Sequence, residues 1–327
     1  MRTKFGLMTI GTEQGAGAAL SVNANVVPFT LFPDLNAYQS LDNVLSDWDA
    51  AMETLQRAAD DIAEGRCTHG VLHPDTVAIM APHIPKQVFC TGANYRQHVV
   101  DIVMDRFADR YAKEGLSNDE IRTKIEDMMD ERARSGSPYI FTRIQSSYAG
   151  PFDDLRIPPY AEQPDWEAEL ALVFKRGGQN INRRDAMDHV AGYLVVNDIT
   201  SRDQIFTADP KDLGADWLHA KNSPGFFPMG PMIVPAQFVE DPHDLKIELK
   251  LNGETMQDAR SDDMIFDIPH QIEVLSKYAR IMTGDVLATG SPVGNGTSHN
   301  RYLRPGDVME VTIEGLGTQR TRCVGAV

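Results

Sequence analysis

Two glutamates one residue apart, Glu167 and Glu169 in the run PDWEAELALVF, interrupt an otherwise apolar, strand-like stretch. Side chains of a strand alternate faces, so the two carboxylates point the same way. Carboxylates crowded on one face repel each other unless something positive sits between them. A solvated face would accommodate a bare E-x-E pair, because charged residues mostly lie outside. A second apolar run, GYLVVNDITSRD, then brings a third carboxylate, Asp198, at its end. With three carboxylates, a divalent cation becomes the economical partner, and oxygen-only ligands favour Mg²⁺, Mn²⁺ or Ca²⁺ over Zn²⁺. Asp165 alternates onto the same face but is not taken as a ligand, since it would overfill the site with charge.

A second group with chemical capacity lies in GANYRQHVVDIV, where His98 and Asp101 are three apart and share one face of a short helix. A carboxylate beside an imidazole orients the ring and stabilises its charged form, which is the minimal general-base arrangement. The same spacing also suits an ordinary surface contact. Cys90, just upstream, reads as a buried structural cysteine and not as a nucleophile.

The elements that must position these groups can be read in outline. Residues 1–83 form a small N-terminal α/β unit, with strand-like runs at 5–10 and 18–29 and a helical recurrence of Val44, Trp48, Met52, Leu55, Ala59 and Ile62. The proline-punctuated stretch 81–85 reads as a linker to a catalytic domain over 84–327. Within that domain, a charged helical insertion spans about 105–136. Ser117 and Glu120 make a capping box there, and Ile121, Ile125, Met128 and Met129 form one apolar stripe. Its place between two candidate site elements suits a lid. Asn252-Gly253 marks a hairpin, and Asp267 with Pro269 opens a helix. The glycine-rich loop 290–296 could cradle an anion through backbone N–H groups but lacks the Gly-Lys-Ser/Thr of a P-loop. Many short strands and few helices give an α+β, β-rich class with a rolled or barrel-like core, not a doubly wound sheet.

Composition sets the outer bounds. The 327 residues are 42% hydrophobic and 24% charged, ordinary for a globular protein, and the formal charge of -16 argues against nucleic acid and anionic membrane surfaces as partners. Cys67, Cys90 and Cys323 show no C-x-x-C spacing, which excludes a zinc ribbon and fits a reducing cytoplasm. The N-terminus turns polar before any signal-like apolar region forms, so an unprocessed, soluble, cytoplasmic chain is expected.

The motifs NYRQH, DWEAEL, GYLVVNDITSRD, K(x)5FPMGP, LNGETMQ, DDMIF, GDVLATGSP and RPGDVMEV follow one another in this order. Together they resemble the fumarylacetoacetate hydrolase family over roughly 88–324. The resemblance implies a mixed β-roll fold, a homodimer, bound Mg²⁺ or Mn²⁺, and a small keto acid substrate of the β-dicarbonyl, acylpyruvate or oxaloacetate type. It places Glu167, Glu169 and Asp198 as metal ligands, His98 as general base and Asp101 where its acid partner stands. Lys221 matches the lysine that stabilises the substrate anion, and Tyr95, Arg202, Gln204 and Thr289 fall at substrate-binding positions. Asn94 stands where family hydrolases carry a fourth carboxylate, and Asn222-Ser223-Pro224 departs from the usual pattern after the lysine. The implied function is metal-dependent hydrolysis of a C–C bond in an acylpyruvate-type acid of aromatic-compound catabolism. Oxaloacetate-type decarboxylation and 2-hydroxy-diene-dioate isomerisation or hydration use the same metal site and remain open. A non-catalytic, metal-stabilised binding module is the reading from another class.

Overall fold

Ala168–Phe174 and Val190–Asn197 consist almost wholly of apolar residues, and every residue of both strands is buried. A strand that is apolar on both faces must be covered on both. The two pair antiparallel at the heart of a six-stranded sheet, in the order Val234–Pro235, Val190–Asn197, Ala168–Phe174, Val286–Ala288, Val88–Gly92 and Tyr139–Arg143. Val286–Ala288 runs parallel to Val88–Gly92. The computed structural model describes residues 2–113, 115–207 and 214–326, the side chains of 105–113 excepted.

Alternation along the central strands assigns each face its cover. Leu170, Leu172, Phe174, Tyr193 and Val195 join Ile247, Leu249, Met309 and Val311 in one hydrophobic cluster. Those partners come from a five-stranded sheet in the order Glu254–Arg260, Lys246–Leu251, Val308–Ile313, Gly317–Val324 and Leu155–Arg156. Its strands alternate buried and more open residues, as expected where one face is solvated. Ala171, Val173, Leu194 and Val196 point the other way and cluster with Leu7, Leu20, Val44 and Leu55 of the N-terminal segment. Each Val or Leu fully buried in these layers contributes on the order of 1.5–3 kcal/mol.

The N-terminal segment therefore shares a core with the central sheet, and Leu7 and Ile233 exchange backbone hydrogen bonds across the two. Its own sheet runs Asn25–Pro28, Gly15–Val22, Gly6–Thr12 and Ile79–Met80. The apolar run at 18–29 is split into two strands by Asn23 and Ala24, both at positive φ. The architecture is α+β and strand-rich as expected, but stacked sheets replace the barrel-like closure among the described residues.

The helices Arg96–Lys113 and Asn118–Ser135 pack on each other through Val99, Val100, Ile121, Ile125 and Met129. Met128, expected on that stripe, is 46% exposed. Ser117 and Glu120 form the capping box, and the Asp267 carboxylate accepts from His270 N–H at the start of Ile268–Tyr278. Residue 114 and the side chains of 105–113, part of the expected lid, lie outside the described residues.

Candidate active site

Register places the chemistry at one end of the central sheet. Ala168 pairs with Asn197 and Ala171 with Ala288, while Val286–Ala288 and Val88–Gly92 run together. Consequently Glu167 and Glu169, Asp198, the loop after Ala288 and the segment leading to His98 all leave the sheet at the same edge. Glu167, Glu169 and Asp198 are buried and each offers an oxygen, all within 4.8 Å of one another. The two glutamates share a face, as strand alternation requires, and that face is not solvated: Glu169 is 2% exposed.

Three buried carboxylates this close would be untenable without compensation. Lys221 Nζ donates to Glu167 Oε2 at 2.7 Å and also to Asp198 Oδ2. Arg143 Nε donates to Asp198 Oδ1 at 2.6 Å, and Arg202 Nη2 to Glu167 Oε1 at 2.6 Å. Among the described residues, Glu169 accepts the backbone N–H of Gly290, at 2.9 Å, and no side-chain cation. The glycine-rich loop turns one backbone N–H onto the Glu169 carboxyl group. Gly290 is at φ +105, and a Cβ there would meet Asn94 Cβ at 2.9 Å.

The proton affinities separate accordingly. Burial pushes Glu167 upward, but Lys221, Arg202 and His98 outweigh it and hold the carboxyl well below the ordinary range. Burial raises Glu169 well above that range, reinforced by Asp198 and Glu167. Burial lowers Lys221, yet Asp198 and Glu167 leave its ammonium favoured. Cys90 Sγ lies 3.8 Å from Asp198 Oδ1, and burial keeps its thiol protonated, which fits a structural cysteine.

His98 is 5% exposed, and burial pushes its imidazole down to about 4, against the opposing pull of Glu167. The expected His98–Asp101 pair does not form among the described residues. Asp101 Oδ1 accepts from Gln97 Nε2 at 2.7 Å and faces Arg122 at 3.5 Å, so the facing helix takes the carboxylate. His98 Nε2 instead lies 3.4 Å from Asn295 Nδ2. Asp101→Ala is therefore expected to leave turnover within about twofold and cost no more than about 1 kcal/mol, as for an exposed ion pair. Steady-state kinetics and urea melts of the variant check this.

Of the remaining sequence candidates, Arg202 reaches the site and three do not. Tyr95 is fully buried in the core cluster with Phe89 and Trp166. Thr289 donates its hydroxyl to Leu170 O at 2.9 Å, which ties it to the neighbouring strand. Gln204 turns to Tyr160 O and Asp203 Oδ2. Asn94 brackets Phe266 and Thr289 through their backbones, so it acts as a structural clamp and not as a ligand.

Two buried charges went unassigned in the sequence. Arg143 ends the strand Tyr139–Arg143, and an arginine closing an apolar strand was a readable signal. Asp165 is fully buried and accepts from Arg202 Nε, Trp166 N, Gly296 N, Thr297 N and Thr297 Oγ1. Both of its oxygens are taken up by these donors. Asp165→Ala is expected to cost about 3–5 kcal/mol, because it removes one of the two carboxylates that hold Arg202 and leaves three backbone N–H groups without their acceptor. Denaturant titration measures that loss.

The carboxylates open into a cavity of about 270 Å³ whose polar wall includes His98, Arg202, Lys221 and Ser291. Phe141, Trp217, Ile102, Ile205 and Phe206 form its apolar wall. Phe141 and Trp217 stack at 5.1 Å, with Lys221 Nζ 5.0 Å from the Phe141 ring. A second cavity of about 310 Å³ shares His98, Ile102 and Arg202 with the first and adds Asp101, Asn295 and Thr297. A larger cleft of about 670 Å³, walled by Lys4, Asp241, Arg260 and Glu314, shares no lining residue with these two.

The donor set suits a hard divalent ion: carboxylate oxygens only, buried, within one coordination sphere, with Glu169 left short of cationic partners. Glu167, Glu169 and Asp198 would hold it. No helix among the described residues is long and apolar enough to cross a membrane.

Comparison with known proteins agrees with this geometry. A mitochondrial oxaloacetate tautomerase of Xenopus laevis is 32% identical over 292 residues, covering 87% of this chain and 80% of that protein. The oxaloacetate tautomerase YisK of Bacillus subtilis is 33% identical over 240 residues, or 72% and 69% of the two chains. Among solved structures, the fumarylacetoacetate hydrolase of psychrophilic Exiguobacterium antarcticum superposes with a TM-score of 0.72 at 25% identity, over 98% of this chain and 100% of that one. The relatives are enzymes of more than one reaction on one scaffold. The sequence model of the fumarylacetoacetate (FAA) hydrolase C-terminal family matches residues 87–324, and the chain belongs to the fumarylacetoacetate hydrolase family.

Proposed function

We propose that this chain is a divalent-metal-dependent tautomerase that interconverts the keto and enol forms of oxaloacetate or a closely similar short keto acid. One observation carries the reading: the three-carboxylate cluster opens on a small cavity beside a buried imidazole that has no hydrogen-bonded acid partner among the described residues. Bound Mg²⁺ or Mn²⁺ would polarise a chelated 2-keto acid and favour its enolate. Arg202 and Lys221 supply positive charge on the same wall and suit a substrate carboxylate. Tautomerisation moves one proton between carbon and oxygen, and His98, neutral at ordinary pH, is the group placed to hold or pass it.

Hydrolysis of a C–C bond asks more of the same residue. Water must be activated and the departing carbon protonated, two proton transfers against the single one of tautomerisation, and among the described residues Asp101 does not support His98 in them. The relatives whose names print oxaloacetate tautomerase point the same way. The acylpyruvate hydrolase reading keeps one observation in its favour, the apolar wall of Phe141, Trp217, Ile205 and Phe206, which suits an uncharged acyl tail.

Incubation of the protein with Mg²⁺ and either oxaloacetate or a set of acylpyruvates, followed by enol absorbance and product mass, separates the readings. The expected outcome is faster loss of the enol of oxaloacetate than in protein-free buffer, with no change in mass. Two shorter acids from an acylpyruvate would establish hydrolysis, and pyruvate with loss of CO₂ would establish decarboxylation; either as the faster reaction sinks the tautomerase reading.

A further inference from the structure

The imidazole of His98 has an unusual surrounding. Its Nδ1 is buried without a hydrogen-bond partner among the described residues, while its Nε2 lies 3.4 Å from Asn295 Nδ2. At its other end Asn295 Oδ1 lies 3.5 Å from the Ser298 hydroxyl, and its Nδ2 is the end turned to the ring. The amide N–H₂ is a donor only, so the ring nitrogen facing it must be the bare one. A neutral imidazole then carries its proton on Nδ1.

The loop that carries Asn295 is in turn held by Asp165. Asp165 Oδ1 accepts from Gly296 N at 2.5 Å, its Oδ2 accepts from Thr297 N and Thr297 Oγ1, and the same carboxylate receives Arg202 Nε at 2.8 Å. Arg202 continues to Glu167. The approach is so close that a Cβ on Gly296 would fall 2.6 Å from Asp165 Oδ1 and 2.1 Å from Arg301 O. A continuous chain of buried polar contacts therefore runs from Glu167 through Arg202, Asp165 and the 295–297 loop to His98.

We infer that Asn295, not Asp101, is the positioning residue for His98: it fixes the neutral tautomer with the proton on Nδ1, and Asp165 anchors the loop that presents it. The inference deepens the tautomerase reading and rests on it for the role of His98, but the tautomer itself is a property of the protein without substrate.

The test uses the full chain with ¹⁵N-labelled histidine, the His98 signals being identified by their absence in His98→Ala. At neutral pH the two nitrogens of His98 are expected to report a protonated Nδ1 and a bare Nε2. Asn295→Asp replaces the donor by an acceptor and should reverse the two signals, whereas Asn295→Leu should leave a mixture. Both variants should lose about 10–100-fold in kcat, as for loss of a residue that orients a working histidine, with KM unchanged. A protonated Nε2 in the unsubstituted protein overturns the proposal without any variant having to fold. So does an unreversed tautomer in Asn295→Asp. If His98→Ala keeps full tautomerase activity, the functional role of His98 is wrong, and the spectra still decide what Asn295 does.

Discussion

Glu169→Gln is expected to have opposite effects on the protein with and without metal. Glu169 is buried beside two other carboxylates, and burial with this like charge raises its proton affinity in the folded state. For a carboxyl raised above its unfolded value, the folded state binds more protons than the unfolded one, so stability is lost as pH rises through the folded value. At neutral pH in chelator, the glutamine variant should therefore melt higher than the unsubstituted protein. Added Mg²⁺ should reverse the order. Metal bound to the native state alone contributes about 2.7 kcal/mol at a hundred times its dissociation constant, and the variant forgoes that gain. Turnover should fall with it by at least about 10²-fold, the loss typical for removing one preorganised electrostatic contact to the reacting oxygen. Thermal melts in chelator and in Mg²⁺, with kinetics on the same samples, read all three effects.

The second large effect is His98→Ala, expected to reduce turnover by about 10²–10⁴-fold, the range for a side chain that handles a proton in the transition state. The rise in melting temperature on adding Mg²⁺ should survive, because no ligand oxygen is removed. The variant should also change acid tolerance. Burial holds His98 down at about 4, below its unfolded value, so between the two the unfolded chain binds the extra proton and stability falls as pH is lowered. Without His98 that part of the acid loss should vanish. Activity, metal-dependent melting and urea stability between neutral and mildly acid pH separate a chemical role for His98 from a structural one.

The sequence exposed the three-carboxylate cluster more fully than its surroundings, and the physical reason is locality. Glu167, Glu169 and Asp198 sit in or beside long apolar runs, so strand alternation alone puts two of them on one face. The hairpin at Asn252-Gly253 and the caps at Ser117 and Asp267 are equally local, and all three appear in the structure. What failed depended on contacts distant in sequence. Helical spacing put Asp101 beside His98, but Arg122 on the facing helix attracts the carboxylate. Thr289 is turned onto Leu170 and Gln204 onto Tyr160 by strand pairing and loop packing that no motif encodes. The N-terminal segment looked separable because a linker-like run follows it, yet the outer face of Ala168–Phe174 needs its side chains as cover.

The buried polar network around the centre shows why it tolerates so many charges. Gln257 accepts from Ala168 N and donates to Pro292 O, which ties the strand of the ligands to the loop beside them. Arg143, Lys221 and Arg202 each spend hydrogen bonds on ligand carboxylates. Such pairs are kept at a desolvation cost that well-packed apolar residues would avoid, so their presence points to the chemistry of the site and not to stability.

The most direct test of the central claim is the rate at which the protein, stripped with chelator and then given Mg²⁺, converts enol-oxaloacetate to the keto form, followed by ultraviolet absorbance beside Glu169→Gln and a protein-free control containing the same Mg²⁺. The account predicts a metal-dependent acceleration over the control that the variant lacks. An acceleration that persists in chelator or is unchanged in Glu169→Gln would contradict it, and so would a rate no greater than the control.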